Sequence, residues 1–368
     1  MTLRILVVGA GIAGLAAARA LRVAGFRPDV VEALPATTVP GAGIYLPGNA
    51  TRALRMLGLD APLRPLGDLI FRQLFLDARG HKLFEVDVAA IWAGVGESRA
   101  LPRADLQQVL LTGVGGEVRY DTAVRDLQIV DGAAKVEFDG GAIAEYDLVV
   151  GADGRRSMIR AKAGLGGPAR PTGQIVYRSV VSSGPPVTDW TALLGRRSAF
   201  VVMPMGGRRL YCCLDETAGS QPNPSDPLAR VRELFGDFGG PVPAVLAAME
   251  KVQVARTDEV VLDRWSKGPV LLVGDAAHAT APTLAQGAAM AFEDAVVLGE
   301  VLRAMPGDIP EALAAYEARR RPRCRQVRER THERDRTRDV PPALRDPMLR
   351  RRGQRIFGDH YRELVDPM

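Results

Sequence analysis

A chain of 368 residues, 47% apolar and 25% charged, is long enough to build one large domain or two coupled ones around a sizeable core. It has no run of about 18 consecutive apolar residues, which argues against a transmembrane helix. The net charge of +5 is unevenly spread: residues 319–355 hold 15 Arg against five acidic residues, or +10, which leaves −5 on the remainder.

The opening "LRILVVGAGIAGLAAARAL" imitates a secretory leader, with Arg4 ahead of an apolar run. Its glycines fit a strand–turn–helix better. An apolar strand at residues 3–8, a helix of small residues at 13–24 and a second strand ending at 29–32 make a βαβ unit. In the turn Gly9-Ala10-Gly11-Ile12-Ala13-Gly14, the first glycine permits the tight bend and the second lets a pyrophosphate approach the backbone. The third allows close helix–strand packing, and the helix N-terminus offers free N–H donors to phosphate. Glu32, at the end of the second strand, is placed to accept hydrogen bonds from an adenosine ribose. The unit predicts a dinucleotide site and does not separate FAD from NAD.

A helix is expected at residues 49–59, and from residue 70 an alternating pattern turns at Ala78-Arg79-Gly80 as an antiparallel hairpin. "LPRADLQQVLL" predicts a helix starting at Asp105, followed by strands near Val118 and at 134–138. "YDLVVGADGRRS" places Asp153 and Gly154 in a turn at a strand end, which an ordinary β–α bend explains equally well. Residues 174–261 read as strands "QIVYRSVV", "SAFVVMPM", "RRLYCCLDE" and "VQVARTDEVV", with a helix capped at Ser225 or Asp226. Then "LLVGDAAHATAPTLAQGAAM" runs from a core strand through Gly274, Asp275 and His278 to a helix opening at Gln286-Gly287-Ala288-Ala289. The Arg-rich end predicts a solvated helix face rather than a nucleic-acid arm, because acids are interspersed and no aromatics interleave. Cys212, Cys213 and Cys324 lack metal-ligand spacing, so no metal site is expected. They suit a reduced, cytoplasmic protein with the adjacent pair in a strand core.

The three glycine-acid motifs, in this order and spacing, resemble the single-component FAD-dependent aromatic hydroxylases of the p-hydroxybenzoate hydroxylase type, over residues 2–325. The resemblance implies an α/β fold in which a Rossmann-like FAD-binding domain (residues 1–69, 100–173 and 263–318) is discontinuous. It is interleaved with a mostly antiparallel β-sheet substrate domain (70–99 and 174–262) and followed by a C-terminal helical segment (319–368). It implies that Gly9, Gly11, Ile12, Ala13, Gly14, Glu32 and Ala33 hold the ADP half of FAD, and that Arg103 contacts its phosphate or ribose. It gives Asp153 and Gly154 a role toward both FAD and transient NAD(P)H, and runs Gly43, Ile44 and Tyr45 near the flavin ring. Gly274 and Asp275 would serve the ribityl hydroxyls, with Pro282 beside the isoalloxazine. The helix start at Gln286, Gly287 and Ala288 is bare, and its positive end would stabilise negative charge at the flavin N1–O2 edge.

The activity implied is monooxygenation. NADPH or NADH reduces FAD, O2 forms a C4a-hydroperoxide, and an electron-rich aromatic substrate between the domains takes one oxygen. Tyr45, Tyr177, Arg178, Tyr211 and His278 are candidate catalytic groups, with Phe200 and Met203 as further pocket candidates. Alternation puts Tyr177 and Arg178 on opposite faces, and His278 is expected to brace the Asp275 loop rather than act as a base. Ala285 departs from the glycine of many relatives, which matters if that residue needs a positive φ. The chain reaches Met368 without the thioredoxin-like domain of larger relatives, so a monomer or a dimer formed in another way is expected. A flavin-dependent reductase, a halogenase and a non-catalytic FAD-binding partner protein remain as alternatives. No tryptophan motif of the halogenase kind accompanies Trp92, Trp190 and Trp265.

Overall fold

The computed structural model describes residues 3–38 and 41–368; residues 1, 2, 39 and 40, within the first stretch assigned to the cofactor domain, lie outside the described residues. One sheet has six strands, in the spatial order Ser266–Lys267, Val270–Leu272, Leu148–Gly151, Ile5–Val8, Asp29–Val31 and Val118–Arg119. All neighbours are parallel except the outermost pair, Ser266–Lys267 with Val270–Leu272. Ile5, Leu6 and Val7 pair with Leu148, Val149 and Val150, and all six are buried. Burial on both faces of a parallel sheet is why these strands read as continuous apolar runs. The helix Ile12–Val23 packs on the helix Gly287–Ala304, where a Cβ at Gly299 would meet the Ala20 carbonyl oxygen at 3.0 Å.

A second sheet has seven strands, in the order Gln253–Glu259, Arg170–Val181, Leu210–Thr217, Ser198–Pro204, Trp190–Leu194, Arg72–Asp77 and Lys82–Asp87. Every pairing is antiparallel except Trp190–Leu194 beside Arg72–Asp77. Trp190–Leu194 escaped the sequence because its three central residues are all buried and show no alternation. Ala133–Phe138 lies between two further strands, Val124–Val130 and Ile143–Tyr146, whose apolar residues are partly exposed, as at Ile129, Val130 and Ile143. The helix expected from Asp105 begins at Arg103, so Asp105 sits in its first turn, where a carboxylate suits the positive helix end. Asp226 caps the helix Pro227–Phe235 by accepting from the Ala229 N–H at 3.0 Å.

The Arg-rich end corrects the expectation of a solvated face. It forms two helices, Ile309–Arg336 and Pro342–Arg362, the first running through position 318/319. Arg320, Arg334 and Arg345 on them are buried. Each meets partners from distant elements, which a charge count along the chain does not reveal. The Phe357 ring packs at 4.8 Å centroid distance on both Phe75 and Phe84, themselves stacked at 4.4 Å, which bolts the last helix to the second sheet. Among the described residues, no helix is long and apolar enough to cross a membrane.

Beneath the helix Gly287–Ala304 lies a buried charge network. Arg320 Nη1 donates to Glu293 Oε2 at 2.7 Å and Arg320 Nε to Asp294 Oδ1 at 2.8 Å, all three side chains being fully buried. Arg323 adds two bonds to Glu293, at 2.7 and 3.0 Å. Burial raises the carboxyl pKa values, but Arg320, Arg323 and Asn49 outweigh it at Glu293, and His278 and Arg320 do so at Asp294, so both stay below the usual range. Removing one partner strands the opposite charge in a fully buried site. Arg320→Met is therefore expected to cost about 3–5 kcal/mol, read as a lowered urea midpoint with unchanged slope.

Candidate functional site

A cavity of about 450 Å³ is lined by the seven-stranded sheet, the glycine turn and other loops that follow strands of the six-stranded sheet, and the C-terminal helices. The turn shows why its three glycines differ. Gly9 has φ +104° and a Cβ there would lie 2.5 Å from the Ala152 carbonyl oxygen, while a Cβ at Gly14 would lie 1.8 Å from the Gly9 oxygen. Those two are demanded by packing. Gly11 has no heavy atom within 4 Å of its ideal Cβ position and, with Ile12 and Ala13, faces the cavity. Glu32 fixes the turn by accepting from the Ala10 N–H at 2.7 Å and the Leu34 N–H at 3.0 Å. Gly9, Gly14, Glu32 and Ala33 are not part of the cavity wall.

Asp275 and Arg103 line the cavity without a side-chain hydrogen bond or ion pair among the described residues, and the Arg103 Nε is buried and unpartnered. Burial and the neighbouring Arg178 lower the Arg103 pKa, an effect that Asp275 and Tyr211 partly offset. Asp275 opens a single helical turn, Asp275–His278. The turn is held by Asp294, which accepts from the Gly274 N–H at 2.9 Å and lies 2.6 Å from His278 Nε2. Pro282, Ala285, Gly287 and Ala288 continue the wall, and nothing lies within 4 Å of a Cβ built at Gly287. Gln286 turns away from it, accepting from Asn49 Nδ2 at 3.0 Å, and the same nitrogen reaches Glu293 at 3.0 Å. Ala285 has φ +54° and ψ +32°, so the loop takes the left-handed conformation with an alanine in it, at a cost of about 1–2 kcal/mol.

His278 is not part of the cavity wall, and its ring bonds the Asp294 carboxylate rather than the backbone of the loop it was expected to brace. Burial works to lower its pKa, yet Cys324 and Asp294 outweigh it and raise it well above the ordinary histidine value. Donor atoms of His278, Asp294 and Cys324 lie within 4.8 Å of one another, with Arg320 bonded to the same Asp294. Asp153 accepts from the Met158 and Ile159 N–H groups at 2.7 and 3.0 Å and leaves its Oδ1 buried without a partner. It lies behind Gly154, which does reach the cavity.

The second sheet settles its own register. Arg178, Met203, Tyr211 and Cys213 face the cavity. Tyr177 and Phe200 do not: both point to the opposite face, into a separate apolar core with Val231 and Phe235. There Tyr177 donates to Glu216 Oε1 at 2.6 Å. Cys213 likewise leaves the strand core expected for it, whereas Cys212 stays there. A Cβ at Gly43 would fall 2.5 Å from the Tyr211 ring, so glycine there is a packing requirement. Tyr361 Oη and Gln73 Oε1 are 3.3 Å apart, and Gln73 Nε2 lies 3.4 Å from Tyr45 Oη, a short polar chain along the wall. Burial first, then Tyr361, pushes the Tyr45 phenol up, and burial and Cys213 do the same to Tyr211, so neither is a proton acceptor near neutral pH.

Sequence reasoning missed the aromatic and basic wall: Phe75, Trp190, Phe357 and Tyr361, with Arg334 and Arg338. Arg338 pairs with Asp215, and Arg155 with Asp258 at 2.9 Å. Their signal lay in residues the sequence leaves unattached to any motif. The open backbone at Gly11 and Gly287 and the unpaired Arg103 and Asp275 match the phosphate and polyol chemistry of a flavin dinucleotide.

The "FAD binding domain" family model matches residues 2–331. The chain is 32% identical over 340 residues to an FAD-dependent urate hydroxylase of Mycolicibacterium vanbaalenii, covering 88% of this chain and 85% of that protein. It is 33% identical over 353 residues to a 3-hydroxybenzoate 6-hydroxylase of Polaromonas naphthalenivorans, covering 88% and 85%. Among solved structures, Klebsiella pneumoniae HpxO complexed with FAD and uric acid superposes with a TM-score of 0.89 at 27% identity, over 99% of this chain and 97% of that one.

Arg334 also marks its surroundings electrostatically. His360, packed 5.9 Å from the Phe357 ring, is pushed down to about 4 by burial and by Arg334 and Arg330, against the weaker pull of Glu333 and Asp359. Its folded pKa lies below the unfolded value of about 6.5, so the part of the stability that depends on neutral His360 is fully present above pH 6.5 and is lost as pH falls toward 4. Over that window wild type is expected to lose roughly 2 kcal/mol more than His360→Phe, measured by urea unfolding at stepped pH.

Proposed function

From the premise that this chain belongs to the FAD binding domain family, as an FAD-dependent monooxygenase of the aromatic hydroxylase type, we propose that it hydroxylates a planar aromatic or heteroaromatic small molecule in the cytoplasm, using NADPH or NADH and O2. The observation that carries this is one cavity whose wall joins the glycine turn, the unpaired Arg103 and Asp275, and the rings of Phe75, Trp190, Phe357 and Tyr361. When bound and reduced, FAD supplies the oxygen-transfer chemistry.

The chain's own residues do the rest. The backbone at Gly11 and the first turn of Ile12–Val23 bind pyrophosphate and Arg103 faces phosphate, while Glu32, outside the cavity wall and bonded to the turn, offers its remaining acceptor capacity to the ribose. Asp153 holds the Gly154 turn, and Gly154 borders the FAD and NAD(P)H approach. Asp275 accepts hydrogen bonds from ribityl hydroxyls. Gly43, Ile44 and Pro282 flank the ring, and the first N–H groups of Gly287–Ala304 oppose the negative charge of its reduced form. Arg178 places a second cation in the same cavity: burial opposes its charge, but Cys213, Tyr211 and Asp275 outweigh burial and raise its pKa. The aromatic wall orients the substrate, and the two C-terminal helices keep water from it.

The purified protein is expected to be yellow and to release FAD on denaturation. Members of a phenol, purine and pyridine panel should stimulate NAD(P)H oxidation with matching O2 uptake and a hydroxylated product. A colourless protein that takes up no FAD overturns the reading, and stimulated oxidation without O2 uptake points to a reductase. Asp275→Ala should weaken FAD binding by at least about tenfold, whereas His278→Ala should retain flavin while losing stability.

A further inference from the structure

We propose that Arg334, on the C-terminal helix Ile309–Arg336, is a specificity-determining residue that selects an anionic aromatic substrate by pairing with its carboxylate or equivalent acidic oxygen. This rests on the monooxygenase reading and adds the charge class of the substrate to it.

Arg334 is 6% exposed and lines the cavity. Its guanidinium carbon lies 3.9 Å from the centre of the Phe357 ring, with Phe75 and Tyr361 at 5.8 and 6.0 Å. Its Nη1 donates to the Thr283 carbonyl at 3.2 Å, the one hydrogen bond of the guanidinium among the described residues. No carboxylate pairs with it there. A buried guanidinium with N–H groups left over, fixed by a ring face and a carbonyl, is poised for an anion.

The other charges of the wall leave Arg334 the unmatched one at the aromatic end. Arg338 is taken by Asp215, and Arg155 by Asp258. Arg345 is spent on the carbonyls of Leu194 and Gly195 and on Asp346. Arg103 and Arg178 share the field of Asp275, next to the glycine-lined part of the wall. On the following helix, His360 feels the Arg334 charge, which with burial and Arg330 lowers its pKa against the weaker pull of Glu333 and Asp359. Flat rings of Phe75, Phe357 and Tyr361 beside this cation, with Trp190 packed against Phe75, describe a planar molecule with an acidic edge.

The test compares isosteres that differ only in charge. Calorimetric titration of the FAD-loaded protein at pH 7.5 with 1-naphthoate and 1-naphthamide is expected to show the acid bound at least about tenfold more tightly. Arg334→Met, which keeps length and apolar packing, should bring the two affinities together, and Arg334→Lys should restore part of the preference. Equal affinities in wild type, or a preference that survives Arg334→Met, overturns the proposal. The wild-type comparison stands even if the variants fold poorly. Because it reads binding alone, its failure is separable from failure of the enzymatic reading, which shows instead as absent FAD or absent aromatic-stimulated NAD(P)H oxidation.

Discussion

The pairing of two adjacent buried carboxylates, Glu293 and Asp294, with Arg320 and Arg323 is the constraint on which the rest of the site depends. Asp294 holds the Gly274 N–H, and so sets the backbone from which Asp275 projects. Glu293 holds Asn49, which in turn holds Gln286 and the start of the helix Gly287–Ala304. Arg320 brings in the C-terminal helix. With water excluded, each charge is stable only while its counter-charge stays in place, so three distant segments are locked to one geometry.

What the sequence disclosed was local. The glycine turn, the "GADG" bend and the "GDAAH" loop each lie within a few residues of a strand end, and their chemistry follows from backbone demands that short spacings reveal. Long-range facts were hidden. Alternation put Tyr177 and Arg178 on opposite faces, yet nothing along the chain said which face met the cavity. That was decided by the helices Pro227–Phe235 and Val242–Ala247, which contribute Val231, Phe235, Val242 and Val245 to the apolar core holding Tyr177 and Phe200. The arginines misled for the same reason. Their spacing matches a solvated helix, while their partners Glu293, Asp294 and Asp215 and the Leu194 carbonyl lie far away in sequence.

Ala285 shows a local rule that the sequence raised and the fold answered. The residue does adopt a left-handed backbone, in the short link between Pro282–Leu284 and the helix Gly287–Ala304. The strain is held by what surrounds it: the Ala285 N–H donates to the Pro282 carbonyl at 2.8 Å, and Gln286 is buried and tied to Asn49. A strained residue flanked by fixed ones keeps the loop in a single conformation, as suits a wall that must present backbone to a ligand.

The cavity thus has walls of two kinds, with different tolerance to change. Around Gly11, Gly43 and Gly287 the surface is backbone, and its shape is set by packing that leaves no room for substitution at Gly43 and only open space at Gly11 and Gly287. Around Phe75, Trp190, Arg334, Phe357 and Tyr361 the surface is side chain. Arg320 and Arg334 share one helix, separated by roughly 20 Å at 1.5 Å per residue. The first anchors the helix to the cofactor-facing floor, and the second presents a charge to the substrate. A change at position 334 therefore alters the pocket without touching the buried ion pairs that hold the floor, so the fold can retune its substrate while its cofactor geometry stays fixed.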